Sequence, residues 1–514
     1  MLRRITMAEF KIASVFSDHM VLQREKNVKV FGWGEDGQVV TVSFLEHTVG
    51  TKVEGERWEV ILPPMKASNG GEMIISCAGH NYTYIDVAVG EVWLAGGQSN
   101  MEFELQNCIG GKEELKNDEE CHVRFYYTQK NSYMDEVFYE QEKNSSWEVF
   151  GPEKARAWSA VGYFFAKRLS KVLGVTVGVI GCNWGGTSAS AWMSKEALTA
   201  DEELNTYVKE YETAIQGKSV EEQIKEYDEY TVYHTEWDKR CSKCYEENPQ
   251  ITWDEVLQIC GENKYPGPMN CKNPYRPGGL YECMLKRVMP YTLRGFLYYQ
   301  GESDDHKPNM YYKLFTRMIQ QWREGWEDDT LPFLFVQLPM HRYSQDPDYK
   351  NWPLIREAQM RAYQTLKNTG IAVALDCGEF NEIHPKDKLP VGERLALQAM
   401  YHVYGIADEI EAFGPIYKSF TARDGRIILS FDYAGNGFVV QGNQISGFEI
   451  AGASKEFVSA EAKIVGSEIY VSSDLVKKPM YVRYCWTNYS EVTVFGANGL
   501  PLAPFRTSRN DEVK

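Results

Sequence analysis

The chain has 514 residues, more than one hydrophobic core usually serves, so about two to four domains are expected. Its composition, 43% hydrophobic and 25% charged, is that of a soluble globular protein without low-complexity tracts. The net charge of −17 argues against nucleic acid or an anionic membrane as partner, and no apolar run approaches the roughly 18 residues of a membrane span.

The cysteines and the start of the chain indicate a reducing compartment. The 11 cysteines are odd in number and lack the spacing of a disulfide framework, which is typical of free thiols. Arg3 and Arg4 form a basic pair, but the apolar stretch of a secretory signal does not follow them. We therefore expect a cytoplasmic protein, whose oligomeric state the sequence leaves open.

Residues 1–86 predict a small β-sandwich module. Short alternating runs at 28–31, 39–42, 58–61 and 73–76 are separated by clusters of turn-forming residues.

Residues 87–405 predict an α/β domain. Buried strands are expected at 87–94, 175–180, 296–299, 333–338 and 371–375, and helices at 159–173 and 391–401. Alternation of this kind indicates a parallel sheet covered by helices on both faces, with ligand sites at the carboxyl ends of the strands.

Two further segments complete the predicted organisation. Residues from about 195 to 275 are charged and rich in tyrosine, and we interpret them as a helical insertion that forms one wall of the site. Residues 406–514 return to short strands and turns and predict a second β-sandwich module.

Ser99 is the first candidate for chemistry. The strand before it ends at Gly96 and Gly97, and such a turn can lift a serine hydroxyl clear of the sheet edge. An ordinary strand-to-helix turn, with Ser99 as a helix cap, is the alternative.

A serine nucleophile needs a base, and His384 is the candidate. It follows the predicted strand 371–375, so it should lie at the same sheet edge as Ser99. Acidic residues precede it closely and could orient its imidazole.

Two other strand ends could supply donors for an oxyanion. Gly185 and Gly186 can expose backbone N–H groups, and Gln300 and Glu302 place an amide and a carboxylate near the edge. A phosphate-binding P-loop is excluded, because its motif does not occur.

Several ordered blocks together resemble the sialate O-acetylesterase family of SGNH-type hydrolases. They are 97–102 around Ser99, 185–187, 299–303, and 383–396 with His384, Pro385 and Lys388, and the likeness extends to 17–24 and 501–507. It covers nearly the whole chain apart from the insertion. It implies an SGNH-hydrolase (flavodoxin-like) domain over 87–405, flanked by the two β-sandwich modules.

The resemblance implies roles for individual residues. Ser99 would be the nucleophile and His384 the general base, while the Ser99 N–H, Gly186 and Gln300 would bind the oxyanion. The same blocks suggest substrate-binding residues, namely Gln98, Asn100, Trp184 and Glu302.

This sequence differs from the family pattern at the acid of the triad. Many SGNH hydrolases carry Asp three residues before the histidine, where this chain has Asn381. Glu382 is the nearest carboxylate, and Glu379, Asp376 and Glu302 are the fallbacks. A Ser–His dyad, with a backbone carbonyl holding the imidazole, is the remaining alternative.

The implied activity is serine-dependent removal of O-acetyl groups from carbohydrate, with sialic acid as the expected sugar. Acetylated xylan or another glycan is the alternative substrate, and an idle carbohydrate-binding protein is the alternative from another class. No cofactor is expected. Cys241 and Cys244, with Cys260 and Cys271 later, only loosely imitate a zinc site, so no metal is expected either.

Overall fold

A computed structural model describes residues 10–116, 121–248 and 250–508 of the chain. The first nine residues, on which the expectation about a secretory signal rests, lie outside this part. None of the helices within it combines the length and the apolar character that a membrane crossing requires.

The N-terminal region is built from antiparallel sheets. Its strands are β1 (Lys11–Ile12), β2 (Val21–Gln23), β3 (Val28–Trp33), β4 (Val39–Phe44), β5 (His47–Lys52), β6 (Arg57–Leu62), β7 (Met73–Cys77) and β8 (His80–Tyr84). One sheet has the order β1-β3-β6 and the other β5-β4-β7-β8. Strand β6 alternates between exposed and buried side chains, as a strand that covers a core on one face should.

A mainly parallel sheet forms the centre of the molecule. Its further strands are β9 (Ala88–Gly97), β10 (Val123–Tyr127), β11 (Trp147–Val149), β12 (Val177–Asn183), β13 (Gly295–Tyr299), β14 (Phe333–Gln337) and β15 (Thr369–Val373). The order is β11-β10-β12-β9-β13-β14-β15, and β2 pairs in parallel with the beginning of β9. Every residue of β9 is buried, because helices cover both faces.

Helices connect the strands of the central sheet and build the insertion. In chain order, those of the described residues are α1 (Ser99–Glu102), α2 (Gly111–Glu114), α3 (Glu136–Glu142), α4 (Pro152–Ala155), α5 (Ala160–Leu173), α6 (Lys195–Thr199), α7 (Asn205–Ala214), α8 (Val220–Glu247), α9 (Trp253–Cys260), α10 (Lys286–Val288), α11 (Pro308–Gly325), α12 (Asn351–Thr365) and α13 (Leu389–His402). Helix α5 illustrates the local signals: Ser159 Oγ accepts the Gly162 N–H at its start, and Gly174 ends it at φ 64°.

The C-terminal region returns to antiparallel sheets. Its strands are β16 (Ile416–Arg423), β17 (Arg426–Asp432), β18 (Phe438–Val440), β19 (Phe448–Ala451), β20 (Val458–Ser459), β21 (Glu461–Val465), β22 (Glu468–Ser472), β23 (Tyr481–Tyr484), β24 (Val494–Gly496) and β25 (Phe505–Arg506). They form the sheets β16-β17-β22-β21, β18-β24 and β20-β19-β23-β25. The predicted fold class, a parallel-sheet α/β domain with β modules on both sides, is confirmed.

The topology fixes where a site can form. Strand β9 lies between β12 on one side and β13 on the other, so the direction in which the sheet is wound reverses at β9. Loops that leave the neighbouring strands at such a point diverge and open a crevice at the carboxyl end. Ser99 follows the carboxyl end of β9 directly.

Candidate active site

The turn that carries Ser99 requires a glycine before it. Gly97 has φ +135°, and a Cβ at this position would lie 2.1 Å from the carbonyl oxygen of Tyr299. Because β9 and β13 approach so closely, the Gln98 N–H donates to that same oxygen at 3.1 Å. The chain then turns into α1, and Ser99 is its first residue.

Ser99 and His384 form a hydrogen-bonded pair. Ser99 Oγ and His384 Nε2 are 2.8 Å apart, although 285 positions separate the two residues in the sequence. Burial and the nearby ammonium group of Lys388 lower the pKa of His384 to about 4, whereas Glu102 acts in the opposite direction. The imidazole is therefore neutral at pH 7 and able to accept the serine proton.

Glu382 approaches the other ring nitrogen of His384 but does not bond to it. Glu382 Oε1 lies 3.7 Å from His384 Nδ1, beyond the roughly 3.2 Å expected of a triad hydrogen bond. The same oxygen accepts the backbone N–H of His384 at 2.8 Å. The short turn between the two residues thus holds the carboxylate against the backbone and slightly away from the ring.

The three fallback carboxylates each have a different partner. Asp376 forms a bidentate ion pair with Arg394, in which Nη1 and Nη2 donate to Oδ1 and Oδ2 at 2.6 and 2.8 Å. Glu379 accepts the backbone N–H of Lys386 at 2.9 Å, and Glu302 accepts an amide proton of Asn100 at 2.7 Å. Of the four candidates, Glu382 is the one that faces the imidazole.

The predicted oxyanion donors differ in where the structure places them. Ser99 begins α1, and the first N–H groups of a helix have no partner within it. A Cβ on Gly185 would lie 3.2 Å from Ser99 Cβ, so the glycine loop after β12 passes directly beside Ser99. The Gly185 N–H donates to Glu102 at 2.8 Å, and Gly186 is the next residue of this loop.

The side chain of Gln300 is not available as a donor in this structure. It is fully buried, and its amide group donates to Asp304 Oδ2 at 2.6 Å and to the carbonyl of Thr187 at 3.1 Å. Its amide oxygen accepts the hydroxyl protons of Tyr298 and Tyr311. Since these partners satisfy both ends of the amide, Gln300 supports the strand end instead of facing Ser99.

Three of the predicted substrate-binding residues lie beneath the site. Gln98, Asn100 and Glu302 are buried, at 3%, 1% and 5% exposure. Gln98 Oε1 accepts the Ser303 N–H at 3.2 Å, so it ties two strand ends together. Trp184, the fourth, is only partly buried beside the glycine loop.

Asn100 is the centre of a buried network that the sequence did not reveal. Its amide donates to Glu302 at 2.7 Å and to the carbonyl of Ile383 at 2.9 Å, and its oxygen accepts from Lys388 Nζ at 2.5 Å. Lys388 is 1% exposed, and burial lowers its pKa to about 8. Ile383 immediately precedes His384, so this network joins the His384 loop to the helix that begins with Ser99. Lys388 belongs to the conspicuous 383–396 block, but nothing in the spacing indicated its partner.

The cysteine cluster lies in the insertion. Cys241, Trp237 and Val256 form a small core between α8 and α9, and Cys244 Sγ is 3.7 Å from Cys260 Sγ. Within the described part of the chain, no group of three or more potential ligands is arranged to hold a metal ion.

Comparison with known proteins relates this site to carbohydrate esterases. Residues 269–401 match the family described as carbohydrate esterase, sialic acid-specific acetylesterase. The sialate O-acetylesterase of Mus musculus is 26% identical, over 96% of this chain and 94% of its own length. That of Homo sapiens is 24% identical, over 96% and 92%. The crystal structure of a carbohydrate acetylesterase from Xanthomonas citri is 28% identical, with a TM-score of 0.77 over 98% of this chain and all of that one.

Proposed function

Because residues 269–401 match the sialic acid-specific acetylesterase family and the chain is similar to sialate O-acetylesterases over 96% of its length, we propose that it removes O-acetyl groups from sialic acid with Ser99 as nucleophile. The observation that carries this proposal is the 2.8 Å contact between Ser99 Oγ and His384 Nε2 at the carboxyl edge of the sheet.

The reaction begins with proton transfer from the serine. Ser99 Oγ attacks the acetyl carbonyl carbon while His384 Nε2 takes its proton, and a tetrahedral oxyanion forms. The imidazolium then protonates the sugar oxygen, the ester bond breaks, and an acetyl-serine remains. In the second half of the reaction, His384 accepts a proton from water while the water oxygen attacks the acetyl carbon. The bond to Ser99 Oγ then breaks, acetate leaves, and the imidazolium returns a proton to Ser99.

Electrostatics around the pair suit these steps. The negative charge of the Glu382 carboxylate, 3.7 Å from Nδ1, favours the transient imidazolium. The backbone N–H groups of Ser99 and Gly186 are the donors for the oxyanion in this proposal. In this proposal the backbone donors bind the oxyanion without the side-chain amide of Gln300, which has other partners.

The decisive experiment is Ser99→Ala, assayed by acetate release and by hydrolysis of p-nitrophenyl acetate. Loss of the nucleophile should reduce kcat by at least about 10³-fold, since triad members act as a unit. The thermal unfolding midpoint should stay near that of the wild type, because the change removes one oxygen. Turnover close to the wild-type rate would refute the proposal.

The sugar is tested separately. We expect acetate release to be faster from O-acetylated sialic acids than from acetylated xylo-oligosaccharides at equal concentration. A preference for the xylo-oligosaccharides would assign the enzyme to plant glycans while leaving the role of Ser99 unchanged.

A further inference from the structure

The insertion reaches the catalytic edge of the sheet through Tyr265. The hydroxyl group of Tyr265 lies 3.4 Å from the carbonyl oxygen of Gly186. A Cβ on Gly186 would lie 2.2 Å from that hydroxyl and 3.0 Å from the ring of Tyr275. The two phenol rings therefore pack directly on Gly186, one residue beyond the glycine that touches Ser99.

The loop that carries Tyr265 is held firmly. Asn273 is fully buried, and its amide donates to the carbonyl groups of Pro266 and Pro268 at 3.2 and 3.0 Å. A Cβ on Gly267 would lie 2.4 Å from the ring of Tyr230, so α8 packs closely against this loop. Tyr265 and Tyr275 meet edge to face, with ring centroids 5.3 Å apart.

Tyr265 nevertheless remains 52% exposed. A large aromatic ring that is fixed by its neighbours and open to solvent, beside a nucleophile, has the properties of a binding surface. Its face suits the C–H groups of a pyranose ring, and its hydroxyl can bond to a sugar oxygen.

The insertion also approaches the other half of the catalytic pair. Burial raises the pKa of Tyr245, near the end of α8, and the Glu382 carboxylate adds to this effect. The charge of Glu382 thus reaches the end of α8, while Tyr265 contacts the glycine loop. An acetyl group alone is too small to need contacts on both sides.

We propose that Tyr265, supported by Tyr275, binds the sugar ring of the substrate and makes the insertion the specificity-determining wall of the site. This inference rests on the proposed function. Tyr265 does not take part in acyl transfer, so its effect should depend on whether the ester carries a sugar.

The experiment compares kcat/KM for an O-acetylated sialic acid and for p-nitrophenyl acetate in the wild type, Tyr265→Ala and Tyr265→Phe. The ratio of the two values should fall about tenfold in Tyr265→Ala, as expected for loss of one aromatic contact. Tyr265→Phe keeps the ring and should retain most of the ratio. Tyr82→Ala is the matched control, because Tyr82 is 39% exposed but lies in the N-terminal antiparallel sheet.

The outcomes separate this inference from the proposed function. An equal loss for both esters in Tyr265→Ala, or an unchanged ratio, would overturn the role of Tyr265. If the wild type cleaves acetylated xylobiose and not acetylated sialic acid, the proposed sugar fails, and the same ratio measured with xylobiose tests Tyr265. Free sialic acid should also inhibit p-nitrophenyl acetate hydrolysis less well in Tyr265→Ala than in the wild type.

Discussion

Glu382 and His384 lie two positions apart, and this short separation determines what the carboxylate can do. One carboxylate oxygen bonds to the backbone N–H of His384 at 2.8 Å and lies 3.7 Å from Nδ1 of its ring. The position three residues before the histidine is occupied by Asn381, whose side-chain oxygen accepts the N–H of Ser344. In the proposed mechanism, Glu382 therefore acts on the imidazole through its charge and not through a fixed hydrogen bond.

Neutralising this charge should slow the enzyme moderately. We expect Glu382→Gln to lower kcat by roughly 10- to 10³-fold, less than the 10⁴-fold loss known for a directly bonded triad acid. Steady-state kinetics with p-nitrophenyl acetate measure this change. Glu379→Gln is the matched control, because the Glu379 carboxylate accepts the backbone N–H of Lys386 and does not face the imidazole. This substitution should lower kcat by less than about threefold. Full activity in Glu382→Gln would show that Ser99 and His384 work as a dyad.

Helix α1 and the segment that leads into α13 hold Ser99 and His384 close together. Asn100 belongs to α1, and Lys388 directly precedes α13. Their 2.5 Å hydrogen bond, and the bond from Asn100 to the Ile383 carbonyl, connect the two segments below Ser99 and His384. The charges that face Lys388 are the Glu302 and Glu379 carboxylates, while Glu382, Glu102 and Lys388 itself surround His384.

Lys388 should therefore set the acid limit of activity. In the proposed mechanism, activity depends on neutral His384, whose pKa is lowered to about 4, so kcat/KM of the wild type should fall only below about pH 4. Lys388→Met removes a cation that disfavours imidazolium, so the pKa of His384 should rise and the acid limb should move to higher pH. The pKa of Glu302, which burial already raises, should rise further when this cation is lost. A pH profile of kcat/KM decides this, and an unmoved acid limb, with lower activity at every pH, would mean that Lys388 serves only the structure.

Sequence periodicity was sufficient for the elements but not for the contacts between distant segments. Alternation of buried strands and helices predicted the sheet and placed Ser99 and His384 at one edge, because parallel strands share their carboxyl ends. The orientation of the Gln300 amide depends on Asp304 and two tyrosines, which no spacing reveals. Tyr265 lies about 80 positions from Gly186 within an irregular loop, and the packing of the insertion alone brings them together.

At the scale of the whole molecule, the N-terminal region is fastened to the central sheet by a buried carboxylate. Glu91 in β9 is fully buried and pairs with Arg24 at 2.5 Å and with Arg294 at 2.7 Å. Gln23, in β2, donates to the same carboxylate at 3.0 Å. The block at 17–24, conspicuous in the sequence, therefore serves the attachment of β2 to β9.

The C-terminal region is fastened by a second buried charge. Arg356, in α12, is fully buried and donates to the carbonyl groups of Pro339, Thr487 and Asn488. The Asn488 carbonyl also accepts the His341 N–H, and the Arg342 carbonyl next to it accepts the Asn381 N–H. The connection between β23 and β24 thus supports the segment that leads to His384.

Glu91→Gln should lower the stability of the protein, because the partly buried Arg24 and Arg294 lose the buried carboxylate that pairs with both. We expect a loss of about 3 kcal/mol in the free energy of unfolding by urea at pH 7.

This loss should depend on pH. Burial opposes ionisation of Glu91, but the two arginines outweigh the effect of burial and lower the pKa of Glu91. A lowered carboxyl pKa stabilises the folded state above the unfolded value near 4.5, and this contribution is lost as pH falls through the folded pKa. The difference in the free energy of unfolding between wild type and Glu91→Gln should therefore become smaller below about pH 4.5.

The control is Glu324→Gln, which breaks the exposed ion pair with Arg317 and should lower the free energy of unfolding by less than about 1 kcal/mol. Equal losses in the two variants, or a difference that does not change with pH, would contradict this role for Glu91.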